Sequence, residues 1–327
     1  MPGTDPAEAA AVVFGELPDL PHLAELPARG VGTDIIGRTA ALLVDLPVEL
    51  VPSGYRVTAR PGLDHRRGVD QLNWDLDALE EAAGIARAEL VKVQFAGPWT
   101  LTAGIELARG HRVLTDPGAL REFTASLAEG ITRHATEISF RTGASVVVQL
   151  DEPTLPAALA GALSTASGYG TVPAVRTADA RDVLATVIDA ATAATGQPVV
   201  VHCCATRPPV GLFRAAGAAA VSLDATLLAG LPTVFADELG EAWDAGTSLF
   251  LGLVPSTEPA GAPDLAALAR PALELVDRLG FSRSLLAERA VPTPTCGLAG
   301  ATPTWARRAL ALARDLGKAF VEPPESW

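Results

Sequence analysis

The residues best suited to chemistry are a histidine and three cysteines that cluster at predicted strand ends. In the extended stretch around residues 202–204, alternation places His202 and Cys204 on one face and Cys203 on the other. Asp224 ends the next predicted strand, and Cys296 follows a later one. One imidazole, two thiolates and a carboxylate form a four-ligand set of the kind that Zn²⁺ prefers. The alternative is that the thiols are inert and His202 is a core histidine with a hydrogen-bonded ring.

A second group of candidates comprises acidic and aromatic residues, which we interpret as substrate-binding. Asp151 and Glu152 directly follow an apolar strand, where buried carboxylates need partners. One can bind an ammonium group, and the other can pair with an arginine or cap the next helix; a solvated helix N-terminus is the simpler alternative. Trp99, in a strand-to-helix turn, can line a flat ligand or pack in the core. Asp34 lies in a Gly-rich excursion that we expect near the carboxyl ends of the strands.

The elements that position these residues alternate between short apolar strands and Ala/Leu-rich helices. Such βα repeats form either an open doubly wound sheet or a closed barrel, and no strand is followed by the glycine-rich dinucleotide turn. Polar residues instead follow nearly every strand, which is typical of a (β/α)8 TIM-type barrel. We therefore predict one α/β barrel domain over residues 1–327. Its predicted strands are 90–95, 145–150, 198–201, 219–223, 248–253 and 290–292, and its helices are 117–142, 177–195, 208–216, 234–245 and 264–279.

Composition narrows the class of protein. The 327 residues are 49% hydrophobic and 19% charged, with a net charge of −13, and only Lys92 and Lys318 are lysines. The acidic balance disfavours a nucleic-acid partner. No apolar run reaches the roughly 20 residues that span a bilayer, and the first residues do not resemble a signal peptide. We expect a cytoplasmic enzyme acting on a small molecule, with three cysteines that form no structural disulfide.

Four segments together resemble the catalytic domain of cobalamin-independent methionine synthase. They occur in the family's order between about residues 90 and 298: QLDEPTL with Asp151, VVVHCC with His202 and Cys204, VSLDAT with Asp224, and PTPTCGL with Cys296. The resemblance implies a (β/α)8 barrel and a zinc ion held by those His, Cys and Asp residues. It also implies that Asp151 holds the substrate amino group. The implied reaction moves a methyl group from a methylated folate, such as methyltetrahydrofolate, to homocysteine, giving methionine.

The sequence departs from that family's pattern at three places. The family's first strand ends in Gly-Ser, whereas this chain begins at Met1, so we expect a barrel that lacks its first strand segment. Asp224 is one methylene shorter than the family's glutamate ligand. After the strand at 248–253 the family has a histidine acid, but here Ser256 and Thr257 occupy that place.

The missing acid bears on the methyl donor. A folate nitrogen leaves poorly unless it is protonated, whereas a methylcorrinoid expels cobalt(I), which needs no proton. The donor is therefore either a methylfolate or a methylcorrinoid protein, and a loop histidine, His65 or His111, is an alternative proton source. Two other readings stay open: a uroporphyrinogen-decarboxylase-like barrel, and a zinc-binding partner protein without turnover.

Overall fold

The computed structural model describes residues 1–165, 168–228, 230 and 232–322. Its strands form a large parallel sheet and a small separate one. In chain order they are β1 (Val48–Val51), β2 (Gly54–Val57), β3 (Leu90–Ala96), β4 (Ile105–Glu106), β5 (Ser145–Asp151), β6 (Val200–His202), β7 (Ala220–Asp224), β8 (Ser248–Val254) and β9 (Ala290–Pro294).

Helices alternate with these strands along the chain. The longest, α5, begins after Asp116, whose side chain accepts hydrogen bonds from the first-turn amides, and ends at Gly143 in the left-handed conformation. The helices are α1 (Pro6–Glu16), α2 (Ile35–Ala40), α3 (Leu63–Ala86), α4 (Pro98–Gly104), α5 (Pro117–Thr142), α6 (Leu155–Leu159), α7 (Thr177–Thr195), α8 (Val210–Ala215), α9 (Thr233–Asp244), α10 (Leu265–Leu279), α11 (Ser284–Arg289) and α12 (Pro303–Val321).

The large sheet has six parallel strands in the order β3-β5-β6-β7-β8-β9. All neighbours are parallel, so their carboxyl ends meet at one edge. Each predicted central strand extends one residue further than its apolar run, so that β5, β6 and β7 end on Asp151, His202 and Asp224. These three candidate residues are thus part of the sheet, and the hydrogen-bond ladder fixes their backbones.

The two faces of this sheet are packed differently. On the inner face, Val147, Val200, Ala220 and Phe250 form a small apolar cluster. On the outer face, the alternate strand residues join the main core, and α2, α5, α7, α8, α10 and α12 pack against the strands. This division of side chains between an enclosed interior and a helical shell is the arrangement of a β/α barrel.

The barrel prediction is confirmed in part. The six parallel strands curl into part of a barrel, and in the described residues an eight-strand closure is not formed. Beyond β3, residue His22 makes a single parallel bridge with Lys92. Pro18 and Pro21 precede that bridge in the chain, and prolines have no amide hydrogen to extend a ladder. At the other edge, all five residues of β9 are half-buried.

The excursion over residues 28–64 is more regular than its composition indicates. It contains α2 and the antiparallel pair β1–β2, which continues into β4 to form the small sheet. No helix in the described ranges is long and apolar enough to cross a membrane.

Candidate metal centre and active site

Three of the predicted ligands converge at the carboxyl edge of the sheet. His202 ends β6, Cys204 follows it by two residues, and Cys296 lies just beyond β9. A ring nitrogen of His202 and the two sulfur atoms all lie within 4.8 Å of one another. Two strands that are distant in sequence thus bring together an imidazole and two thiols.

The separation of the two sulfurs fits a tetrahedral metal. The Sγ atoms of Cys204 and Cys296 are 3.7 Å apart, and both cysteines are free. A disulfide would need about 2.05 Å. With zinc–sulfur bonds of about 2.3 Å, the edge between two thiolates of a tetrahedron is about 3.8 Å. The donor types and their spacing therefore suit Zn²⁺.

Hydrogen bonds prepare this cluster for a cation. Nδ1 of His202 lies 3.0 Å from Oγ of Ser222, which leaves Nε2 for the sulfur side. Hydrogen bonds from Cys204 and His202 lower the pKa of the Cys296 thiol. The hydrogen bond between the two sulfurs raises the pKa of the Cys204 thiol. These contacts favour a thiolate at Cys296, which is the form that binds metal.

Cys203 points away from the other two cysteines, as strand alternation predicts. Its side chain is fully buried, and burial raises its pKa to about 12. A thiol in this state is a poor metal ligand and a poor nucleophile.

Asp224, the fourth predicted ligand, lies outside the cluster. It ends β7, and its Oδ1 accepts hydrogen bonds from the amide and hydroxyl of Thr226, at 2.9 and 2.6 Å. The carboxylate therefore caps a short 3₁₀ turn at residues 225–227. The structure brings together three of the four predicted ligands and gives Asp224 a local role.

Asp151 lies next to the cluster in the sheet. In the β5–β6 register it is the direct neighbour of His202. Its Oδ1 accepts a hydrogen bond of 2.7 Å from Gln149, and the side chain is largely buried. Burial raises its pKa to about 6. A buried carboxylate with few donors is a good partner for a substrate cation.

Glu152, in contrast, is occupied by the protein itself. It is fully buried, and its two oxygens accept hydrogen bonds from the amides of Trp99 and Thr100 and from the Thr100 hydroxyl, at 2.8–2.9 Å. It therefore caps the first turn of α4. A Cβ on Gly97 would overlap the Glu152 carboxylate, so this approach requires glycine. Burial raises the pKa of Glu152 to about 7.

Trp99 and Asp34 also have internal partners. Trp99 is 1% exposed, and its indole N–H donates to the Ala180 carbonyl at 3.0 Å, so the ring lies in the core. Asp34 caps α2 through the amides of Ile36 and Gly37 and accepts a hydrogen bond from the Tyr55 hydroxyl.

Ser256 and Thr257 follow the end of β8 at Val254. The Ser256 amide donates to Oγ1 of Thr295 at 3.2 Å, which ties this loop to the residue before Cys296. Thr257 is exposed. Neither hydroxyl is a proton donor of the strength of a histidine.

A family model matches almost the whole chain. The profile described as the cobalamin-independent synthase catalytic domain matches residues 1–319. The chain belongs to this family. Membership supports methionine-synthase-like methyl transfer as the activity class. No curated protein matches the chain.

Solved structures of similar fold include two proteins of related type. A B12-independent methionine synthase from Shewanella sp. W3-18-1, in complex with selenomethionine, has a TM-score of 0.51 at 11% identity over 84% of this chain and 74% of that one. A methyltransferase from Methanosarcina mazei has a TM-score of 0.56 at 16% identity over 95% and 86%. At these identities the likeness concerns the fold.

Sequence reasoning missed Ser222 as a residue of the site. Its signal was available, because alternation in β7 puts Ser222 and Asp224 on one face. What the sequence does not contain is the register that pairs Ser222 with His202.

Proposed function

We propose that this protein is a zinc-dependent methyltransferase that forms methionine from homocysteine. The observation that carries the proposal is the convergence of His202, Cys204 and Cys296, with a sulfur–sulfur distance of 3.7 Å. Together with family membership, this cluster favours activation of a thiol over the chemistry of a uroporphyrinogen-decarboxylase-like barrel, which needs arginines for substrate carboxylates.

The three clustered residues would hold the metal. Zinc bound there supplies a Lewis acid that lowers the pKa of a thiol, so that the substrate sulfur is ionised at neutral pH. Ser222 orients the His202 ring through Nδ1, in the manner of an outer-shell partner. We propose that Asp224 would complete the ligand set, directly or through a water, once its hydrogen bonds to Thr226 loosen.

The amino group of the substrate fixes its orientation in the site. Asp151 lies one strand from His202 and accepts the homocysteine ammonium, which returns a counter-charge to the buried carboxylate. Glu152 fixes the first turn of α4 against the end of β5, and the Trp99 indole ties α4 to α7. Asp34 acts similarly on α2. The new sulfur–methyl bond then forms as the bond between methyl and donor breaks, and the electron pair leaves with the donor.

The donor is a methylfolate or a methylcorrinoid. The loop after β8 offers Ser256 and Thr257 in place of an acid, and this favours a leaving group that needs no proton. Assays of methyl transfer to homocysteine with methyltetrahydrofolate and with a methylcorrinoid protein separate the two. Full activity with the folate alone would overturn the corrinoid preference.

Zinc analysis tests the proposal as a whole. We expect about one zinc per chain in the freshly purified protein, and a loss of both zinc and methyl transfer in C204S and C296S. The matched control is C203A, which removes the buried cysteine and is expected to retain zinc. Zinc-free protein with freely titratable thiols would refute the proposal. Stoichiometric zinc without turnover on either donor would instead identify a zinc-binding partner protein.

A further inference from the structure

Lys92 places a cation inside the sheet, below the metal cluster. Along β3, Leu90 packs against the inner apolar cluster, whereas Val91 and Val93 belong to the outer core. Alternation therefore puts Lys92 on the inner face together with Leu90 and Gln94. The side chain is half-buried. A lysine at such a position indicates a compensating interaction or a function, because burying an ammonium group costs free energy.

The ammonium of Lys92 has spare hydrogen-bonding capacity. Nζ donates to Oε1 of Gln94 at 3.2 Å, and Gln94 is itself fixed by a 2.7 Å bond from Nε2 to the Leu23 carbonyl. An ammonium has three donors. Within the described part of the chain, the Gln94 amide is its one hydrogen-bond acceptor. The group is oriented by a neutral partner, and two donors stay available for a ligand.

Two carboxylates compensate the charge of Lys92, and one of them belongs to the proposed ammonium site. Burial lowers its pKa, and the carboxylates of Asp151 and Glu25 oppose this shift. Glu25 is also shared with Arg38, whose Nε lies 3.7 Å from Oε1. His22 adds no charge, because burial and the nearby Lys92 lower its pKa to about 3. If Asp151 is neutralised by a substrate ammonium, Lys92 loses part of its compensation.

We propose that Lys92 binds the α-carboxylate of the amino-acid substrate, while Asp151 binds its α-ammonium group. This inference rests on the proposed function and names the recognition element for the other half of the zwitterion. A ligand that carries both charges on one carbon satisfies both groups at once. A ligand lacking either charge leaves one of them buried without a partner, which is how polar sites reject near-isosteres.

Binding of three related ligands tests the assignment. L-Methionine carries both charges, 3-(methylthio)propylamine lacks the carboxylate, and 4-(methylthio)butanoate lacks the amine. Dissociation constants are measured by calorimetry on the purified full chain. For K92M we expect affinity for methionine and the butanoate to fall about 10- to 100-fold, as for loss of one charge-assisted hydrogen bond, with the propylamine unchanged. K92R is expected to restore part of the loss.

Controls keep the two proposals separable. D151N is expected to weaken methionine and the propylamine but not the butanoate. R207Q removes an exposed cation three residues after Cys204 and is expected to change nothing. If K92M binds methionine as the wild type does, or if R207Q alone shows the loss, the Lys92 assignment is wrong and the proposed function stands. If the wild type binds none of the three ligands, the proposed function itself fails.

The wild type alone also gives a decisive result, should K92M not fold. Equal affinity of wild-type protein for methionine and for 3-(methylthio)propylamine would overturn the assignment, because no group would then recognise the carboxylate. A preference for methionine of tenfold or more supports it.

Discussion

Replacement of Ser222 by alanine tests whether this hydroxyl prepares the metal cluster. Ser222 is buried on β7, in direct register with His202 on β6. Its Oγ lies 3.0 Å from Nδ1 of His202. In S222A the ring keeps its position on the strand but loses the contact that fixes its rotation and its tautomer. The variant therefore perturbs the orientation of one ligand and removes none.

The expected effect follows from the nature of this contact. Loss of one hydrogen bond costs about 1 kcal/mol, and a buried Nδ1 without a partner adds to that cost. Outer-shell partners of metal ligands are typically worth about 10- to 100-fold in metal affinity. We therefore expect S222A to bind zinc about 10- to 100-fold more weakly, which is about 1.4 to 2.8 kcal/mol.

Competition with a chromogenic chelator measures the zinc dissociation constant. The matched control is S126A, which removes a buried hydroxyl bonded to the Val44 carbonyl at 2.8 Å, on α5. It has a similar structural cost but no contact with the cluster. If S222A and S126A bind zinc with the wild-type constant while C204S does not, the reasoning about His202 is refuted.

Two further predictions concern stability. Because the folded-state pKa of Glu152 is raised from 4.5 to about 7, the folded chain holds this proton more tightly than the unfolded chain. The free energy of unfolding of the wild type, relative to that of E152Q, should therefore fall by up to about 3 kcal/mol as the pH rises from 4.5 to 7. Urea titrations at several pH values measure this difference. A difference that does not change with pH would contradict the prediction. Asp75, buried between Arg29 and Arg38, neutralises two guanidinium groups, so D75N should lower the free energy of unfolding by about 3 to 5 kcal/mol. A loss below 1 kcal/mol would mean that water or Glu25 compensates both arginines.

Much of the candidate site could be predicted because it depends on local rules. Alternation separates Cys203 from His202 and Cys204, and parallel strands bring their carboxyl ends together. The role of Asp224 could not be predicted in this way. The Asp224 carboxylate accepts hydrogen bonds from Thr226, two residues away, and the residue types alone do not decide between this local turn and the cluster.

The surroundings of Lys92 could not be predicted from its neighbours in sequence. Nothing in the seven residues of β3 distinguishes Lys92 from a lysine whose ammonium group reaches solvent at the end of an apolar strand. Its surroundings are supplied by Asp151 on the next strand and by Glu25 far upstream. Recognition of its role therefore required the register of β3 with β5 and the position of the segment after α1.

Helix bounds could be predicted where the signals are local, whereas nonlocal strand pairing could not. Residues 117–142 and 177–195 form helices with the predicted bounds, because Asp116 caps the first and Gly143 and Gly196 end the two. The hairpin of β1 and β2 was not predicted, since its strands are short and its pairing with β4 is nonlocal. Full barrel closure was predicted from the polar residues at the strand ends and from the family resemblance, and the described residues form six of its strands.

The composition of β9 has a consequence for behaviour in concentrated solution. This strand lies at one edge of the large sheet, and two of its five residues are Pro292 and Pro294. A sheet edge normally offers a row of amide donors on which a strand of another molecule can grow. Prolines have no such donors, so chains that meet edge to edge here find an interrupted ladder. The edge strand β9 is thus a poor template for intermolecular β-structure.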